Sequence, residues 1–202
     1  MAELKSNQQF RNSLKILEDN SHVSYTASER ITQIVKSLRT FARLDEAEYQ
    51  KANIHEGLDS TLTLIDHEIK DRITVTKNYG DIPEIDCYPN QLNQVFMNVF
   101  MNAIQATERD GQITIKTSFE GNMVVVTISD TGCGIQSENI SRIFDPGFTT
   151  SGVGVGTGLG LPISYTIVQN HRGDIKVDSE VGEGTSITIS LPVDLKVPLQ
   201  KE

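Results

Sequence analysis

Apolar residues recur along this chain with two different periods. Ile31, Ile34, Val35, Leu38, Phe41 and Ala42 fall at i, i+3, i+4, i+7 spacing, which predicts an amphipathic helix over 31–42. Its reverse face is polar, with Thr32, Gln33, Lys36, Arg39 and Arg43. Thr26 and Glu29 have the spacing of a capping box just ahead of it. The first twenty residues offer only Phe10, Leu14 and Leu17 as partners for the stripe. A helical hairpin that completes its core with a second copy of itself is the expected solution, with packing on its own domain as the alternative.

Beyond a polar stretch at 45–51, Asn53 and Glu56 read as a helix start, followed by Ile54, Leu58, Leu62, Ile65 and Ile69 on one face. Residues 72–78 alternate like a strand. Pro89 to Ala106 reads as a helix with Leu92, Val95, Phe96, Val99 and Ala103 inward. Ile113, Ile115 and Thr117, a Gly121-Asn122 turn, then Val124, Val126 and Ile128 predict an antiparallel hairpin. A helix from Leu159 to Gln169 ends near Gly173, and strands around 175–177 and 187–191 are joined by Val181-Gly-Glu-Gly184. The expected class is α+β: helices layered on one face of a mixed sheet, preceded by a helical arm.

Composition narrows the options. The chain has 202 residues, 37% hydrophobic and 22% charged, as in ordinary soluble proteins. It has no apolar run long enough for a membrane span and no signal-peptide pattern, so a cytoplasmic location is expected, with any membrane attachment left to a part outside this chain. A net charge of −9 argues against nonspecific nucleic-acid binding. Cys87 and Cys133 are too few and too distant in sequence for a disulfide framework or a metal site.

The candidate chemistry is concentrated between 130 and 160. Asp130-Thr-Gly132-Cys-Gly134 precedes Phe144-Asp-Pro-Gly-Phe-Thr149-Thr150, and glycine then occupies every second position from Gly152 to Gly160. Such a run can turn its N–H groups toward an anion, and it feeds a helix start at Leu161-Pro162-Ile163, an arrangement suited to phosphate. The spacing does not satisfy G-x-G-x-x-G, because 157, 159 and 161 are Thr, Leu and Leu. The chain contains no Gly-Lys-[Ser/Thr], His-Arg-Asp or Asp-Phe-Gly, so Walker-type and protein-kinase sites are excluded. Asn98 and Asn102 lie four apart on a predicted helix and share a face that is neither the apolar stripe nor plainly solvated. Their carboxamide oxygens suit a hard cation such as Mg²⁺, although such a pair also occurs as ordinary helix surface.

Taken together, Asn90-Gln-Leu-Asn-Gln-Val-Phe-Met-Asn98-Val-Phe-Met-Asn102-Ala, Asp130-Thr-Gly-Cys-Gly-Ile135, Ile143-Phe-Asp-Pro-Gly-Phe-Thr-Thr150, Gly154-Val-Gly-Thr-Gly-Leu-Gly160 and Gly182-Glu-Gly-Thr185 resemble the ATP-binding domain of sensor histidine kinases. The resemblance covers residues 51–195. Residues 29–43 look like the second helix of that family's dimerisation and phosphoacceptor hairpin, which places a partial hairpin at 1–50 and a tail at 196–202. It implies that Asn102 coordinates Mg²⁺ and that Asn98 supports the metal or the phosphates. Asp130 would accept the adenine amino group, Gly132 and Gly134 would let backbone approach the base, and Ile135 and Thr185 would line the pocket. Phe144, Thr149, Thr150 and Gly154 would belong to a lid, and Gly156, Thr157, Gly158, Leu159 and Gly160 would wrap the triphosphate. The implied partners are a response-regulator receiver domain and a second copy of the chain. Ser151 stands where family members often carry Lys, which makes Arg142 the nearest substitute cation.

The nucleophile is the other departure. Of His22, His55, His67 and His171, only His55 and His67 precede an acid, and both fall in the catalytic segment. All four are expected at the surface, and the phosphoacceptor is expected outside the chain. Two alternatives remain open: an ATP-hydrolysing relative, which would need a glutamate where Asn98 stands, and a nucleotide-holding module acting through its arm.

Overall fold

Asn53 starts the helix Ile54–Leu64. Its side-chain oxygen accepts the N–H of His55 at 2.9 Å, which satisfies a donor that the first helical turn would otherwise leave orphaned. The structure, a computed structural model, describes residues 48–149 and 157–195 together with isolated positions between 14 and 28. The helix expected over 31–42 and its capping box at Thr26 and Glu29 lie outside the described residues. In chain order the elements are β1 (Gln50–Ala52), α1 (Ile54–Leu64), α2 (Asp66–Ile69), β2 (Ile73–Asn78), β3 (Ile85–Cys87) and α3 (Pro89–Ala106). They continue with β4 (Gly111–Glu120), β5 (Met123–Asp130), α4 (Ser137–Ile140), α5 (Gly160–Asn170), β6 (Asp174–Glu180) and β7 (Gly184–Pro192).

Five strands form one mixed sheet in the order β2-β4-β5-β7-β6. β2 runs parallel to β4, and the remaining pairs are antiparallel. Alternation sorts the two faces. Ile113, Ile115, Val124, Val126, Ile128, Ile189 and Leu191 are buried against the helices. On the other face Thr127 and Thr188 lie 3.2 Å apart and Ser129 and Ser186 2.8 Å apart, a cross-strand hydroxyl ladder. α3 lies across the sheet between α1 and α5, burying Leu92, Val95, Phe96, Val99, Phe100 and Ala103. Each of these side chains larger than alanine contributes about 1.5–3 kcal/mol when fully removed from water. This is the expected α+β sandwich of helices on a mixed sheet.

Three features depart from the expectations. The apolar face from Ile54 to Ile69 is carried by two helices, because the backbone at Ile65 (φ −105, ψ 11) leaves the helical region; Ile65 and Ile69 stay buried across the break. The polar stretch ahead of α1 includes a strand, β1, which pairs antiparallel with β3 in a separate two-stranded ribbon. His171 is 2% exposed rather than on the surface. It closes α5: the Tyr88 N–H donates to Nε2 at 3.1 Å, and Nδ1–H donates to the Ile167 carbonyl at 2.8 Å. Those two partners fix the neutral tautomer, and burial, only partly offset by the Ile167 carbonyl, pushes its pKa down. His55 stacks on Tyr79 at 4.2 Å and touches Thr117 Oγ1, whereas His67 is a surface residue.

Candidate functional site

A cleft of about 810 Å³ opens between α3, the end of β5, the start of β7 and the head of α5. Sheet register forms its floor. Asp130 ends the middle strand and pairs with Thr185 at the start of β7, while Ile128 and Ile187 supply an apolar base. Burial raises the Asp130 pKa, and the amides of Gly132 and Thr185 oppose that shift. The Gly132 N–H reaches Oδ1 at 2.8 Å. The carboxylate is thus a half-buried acceptor presented to a cleft otherwise lined, among the described residues, by uncharged groups.

Glycine is required where the loop after β5 meets its neighbours. A Cβ on Gly132 would sit 2.6 Å from the Ala106 carbonyl oxygen, the group that already accepts the Cys133 N–H at 3.1 Å. Gly134 has φ +69 and would place a Cβ 2.1 Å from the Glu180 carbonyl oxygen. Ser179 binds this loop to β7. Its hydroxyl donates to the Gly184 carbonyl at 2.8 Å, so it accepts from the Ile135 N–H and from the Thr185 hydroxyl, both at 2.9 Å.

At the opposite wall, the Gly147 N–H donates to the Gly158 carbonyl at 2.9 Å, joining the segment expected as a lid to the one expected to wrap the triphosphate. Thr149, Thr157, Gly158 and Gly160 line the cleft, while Thr150, Gly154 and Gly156 lie outside the described residues. Phe144 does not line it: its ring packs 5.3 Å from Tyr165, and with Leu159 it covers the core. Phe148 takes the cleft position instead, with the Arg142 guanidinium 4.6 Å over its ring. Arg142 is therefore spent on Phe148 and is not among the lining residues.

Asn98 and Asn102 line the same cleft from α3, one turn apart. Asn98 Nδ2 donates to the Gly160 carbonyl at 2.9 Å and lies 3.1 Å from Ser164 Oγ, which ties α3 to the head of α5. Asn90, Gln94, Met97 and Met101 extend this wall. Helical spacing from Asn98 is the available signal for Asn90, Gln94 and Met101; Met97, Ser179 and Ser164 give none. No lysine, arginine or histidine lines the cleft among the described residues, and no cluster of His, Cys, Asp or Glu there is arranged for a metal. Anionic ligands must be met by backbone N–H groups, by the eleven-residue helix α5 pointing its N-terminus here, and by amide oxygens holding a cation.

An acceptor carboxylate over an apolar floor, opposite a glycine-rich helix entry, is the geometry of a nucleotide site. The family described as "Histidine kinase-, DNA gyrase B-, and HSP90-like ATPase" matches residues 87–195, and the chain belongs to it. Similar proteins include the sensor histidine kinase ZraS of Escherichia coli K12, 33% identical over 83% of this chain and 36% of ZraS. Sporulation kinase E of Bacillus subtilis 168 is 34% identical over 82% of this chain and 22% of that protein. The chain thus spans about a third or less of these relatives' length. The catalytic domain of histidine kinase ThkA, in a nucleotide-free form, superposes with a TM-score of 0.67 at 28% identity, covering 74% of this chain and 98% of that structure. The described fold is that of a sensor histidine kinase ATP-binding domain. Among the described residues, no helix is long and apolar enough to cross a membrane.

Proposed function

We propose that this chain is the catalytic region of a two-component sensor kinase. It binds ATP·Mg²⁺ in the cleft and transfers the γ-phosphoryl group to a histidine nitrogen, for relay to an aspartate on a response regulator. The observation that carries this reading is the pairing of Asp130 over an apolar floor with Asn98 and Asn102 across the same cleft. Asp130 accepts the exocyclic amino group of adenine, and Ile135 and Thr185 bound the base. The α5 N-terminus and the Thr157-Gly158 backbone meet the phosphates. Asn102, with Asn98 beside it, holds Mg²⁺ through carboxamide oxygen, a donor set that suits a hard ion. That ion would neutralise charge on the phosphates that the lining side chains leave uncompensated.

In the transfer, the bond from the γ-phosphorus to its bridging oxygen breaks as the imidazole nitrogen attacks, and ADP leaves. The chain's part is positioning and electrostatics, which supply most of the catalysis in phosphoryl transfer. Hydrolysis is the weaker reading, because an amide at Asn98 cannot take a proton from water at neutral pH. Residues 1–50 are assigned to the dimerising hairpin, with the receiver domain docking on the assembled kinase and the whole acting in the cytoplasm. The test supplies this chain with a separate histidine-bearing hairpin and labelled ATP. An acid-labile, base-stable phosphoryl adduct on the hairpin is expected. Rapid phosphate release without an adduct, unaffected by Asn98→Ala, would overturn the assignment in favour of an ATPase.

A further inference from the structure

Ser164 is 0% exposed in the first turns of α5, and its hydroxyl sits at a three-way junction. Ser164 Oγ donates to the Gly160 carbonyl at 2.9 Å. Having spent its one proton there, it can only accept from Asn98 Nδ2 at 3.1 Å. The Gly160 carbonyl, itself a pure acceptor, takes Asn98 Nδ2 at 2.9 Å. The Asn98 NH₂ therefore faces two acceptors that lie 2.9 Å from each other, and they fix which end of Asn98 is nitrogen. Both acceptors belong to the helix that the glycine run enters, whereas Asn98 belongs to the helix that carries Asn102.

We infer that Ser164 is a positioning residue for the metal side of the site: it locks the Asn98 amide rotamer so that oxygen, not nitrogen, is the atom Asn98 retains for the cation and its phosphates. The inference rests on the reading of Asn98 and Asn102 as the Mg²⁺ wall. Without the hydroxyl, only the Gly160 carbonyl selects the rotamer, and an amide turned over would offer N–H to a cation. A hard divalent ion has no use for such a donor. The nucleotide base, held across the cleft at Asp130, is indifferent to this change.

The experiment is calorimetric titration of the chain with the non-hydrolysable analogue AMPPNP, at Mg²⁺ concentrations from an excess of EDTA upward. Wild type is compared with Ser164→Ala, Ser164→Cys, Ser164→Thr and Asn98→Ala. Ser164→Ala is expected to raise the Mg²⁺ concentration for half-maximal binding about three- to tenfold, the worth of one neutral hydrogen bond, while affinity in EDTA stays within about twofold. Ser164→Cys, nearly isosteric, should follow it, and Ser164→Thr, which keeps the hydroxyl, should recover the wild-type dependence. Asn98→Ala combined with Ser164→Ala should be no worse than Asn98→Ala alone. A folded Ser164→Ala and Ser164→Cys with wild-type Mg²⁺ dependence, or additive effects with Asn98→Ala, would refute the role of Ser164 alone. Wild-type protein whose affinity ignores Mg²⁺ would refute the metal reading and this inference with it.

Discussion

Replacing Asp130 by asparagine tests the base-recognition half of the site with the smallest change of shape. The Gly132 N–H can only donate, and it holds Oδ1 at 2.8 Å. In Asp130→Asn the amide oxygen takes that place, so the NH₂ takes the position of the other carboxylate oxygen. A donor then faces the adenine amino group, which is itself a donor. A hydrogen bond to a charged acceptor is worth about 1.5–3 kcal/mol, so AMPPNP affinity should fall about ten- to 150-fold. Guanine presents a carbonyl oxygen where adenine presents the amino group, so the preference for adenine over guanine nucleotides should narrow. Stability supplies the control. Burial, opposed by the Gly132 and Thr185 amides, raises the Asp130 pKa. An acid with a raised folded-state pKa weakens the fold increasingly as pH climbs from its unfolded value through its folded one. At pH 7 the neutral variant should therefore melt no lower than wild type. Competition of AMPPNP and a guanine analogue against a fluorescent nucleotide, alongside thermal melts, measures both arms. An Asp130→Asn protein that binds AMPPNP within twofold of wild type would refute the placement of adenine on Asp130.

Four further outcomes follow from the geometry. His171 is held neutral by burial, so the unfolded state binds more protons below its ordinary pKa of about 6.5, and stability should fall as pH drops from 7 toward 5. His171→Gln should flatten that slope in melts recorded against pH. Gly134→Ala, with φ +69 and a Cβ 2.1 Å from the Glu180 carbonyl oxygen, should lose at least about 1–3 kcal/mol in urea unfolding. Gly160→Ala, whose Cβ would meet Asn98 only at 3.5 Å, should be neutral or slightly stabilising in the same assay. Asn53→Ala removes the bond to the His55 N–H and should cost about 1 kcal/mol by urea unfolding.

The elements legible in the sequence were those whose causes are local. The helix from Pro89 to Ala106 has the same bounds in sequence and structure, because proline at the helix start and an unbroken apolar period both act within a few residues. The hairpin of β4 and β5 was equally readable from its alternation and its Gly121-Asn122 turn, where both residues take positive φ. What escaped depends on partners far along the chain. β1 has three residues and acquires its identity only from β3. His171 resembles any polar residue at a helix end until the Tyr88 N–H, 83 positions away, arrives at its ring.

The same division runs through the cleft. Asp130 can be noticed because a carboxylate at the end of an apolar strand needs a donor. Gly132 and Gly134 are expected to let backbone approach the base, and the structure adds a second reason, their packing against the Ala106 and Glu180 carbonyls. Ser179 and Ser164 carry no such mark. Each is an ordinary residue type whose single hydroxyl joins groups brought together only by the fold: Ile135 to Gly184 in one case, Asn98 to Gly160 in the other. A hydroxyl has one proton, so in each junction the carbonyl that takes it leaves the other partner as donor, and the polarity of the contact is settled. Residue type thus marks the groups that touch a ligand, while the groups that orient them are set by which donors and acceptors the sheet and helices leave to be matched.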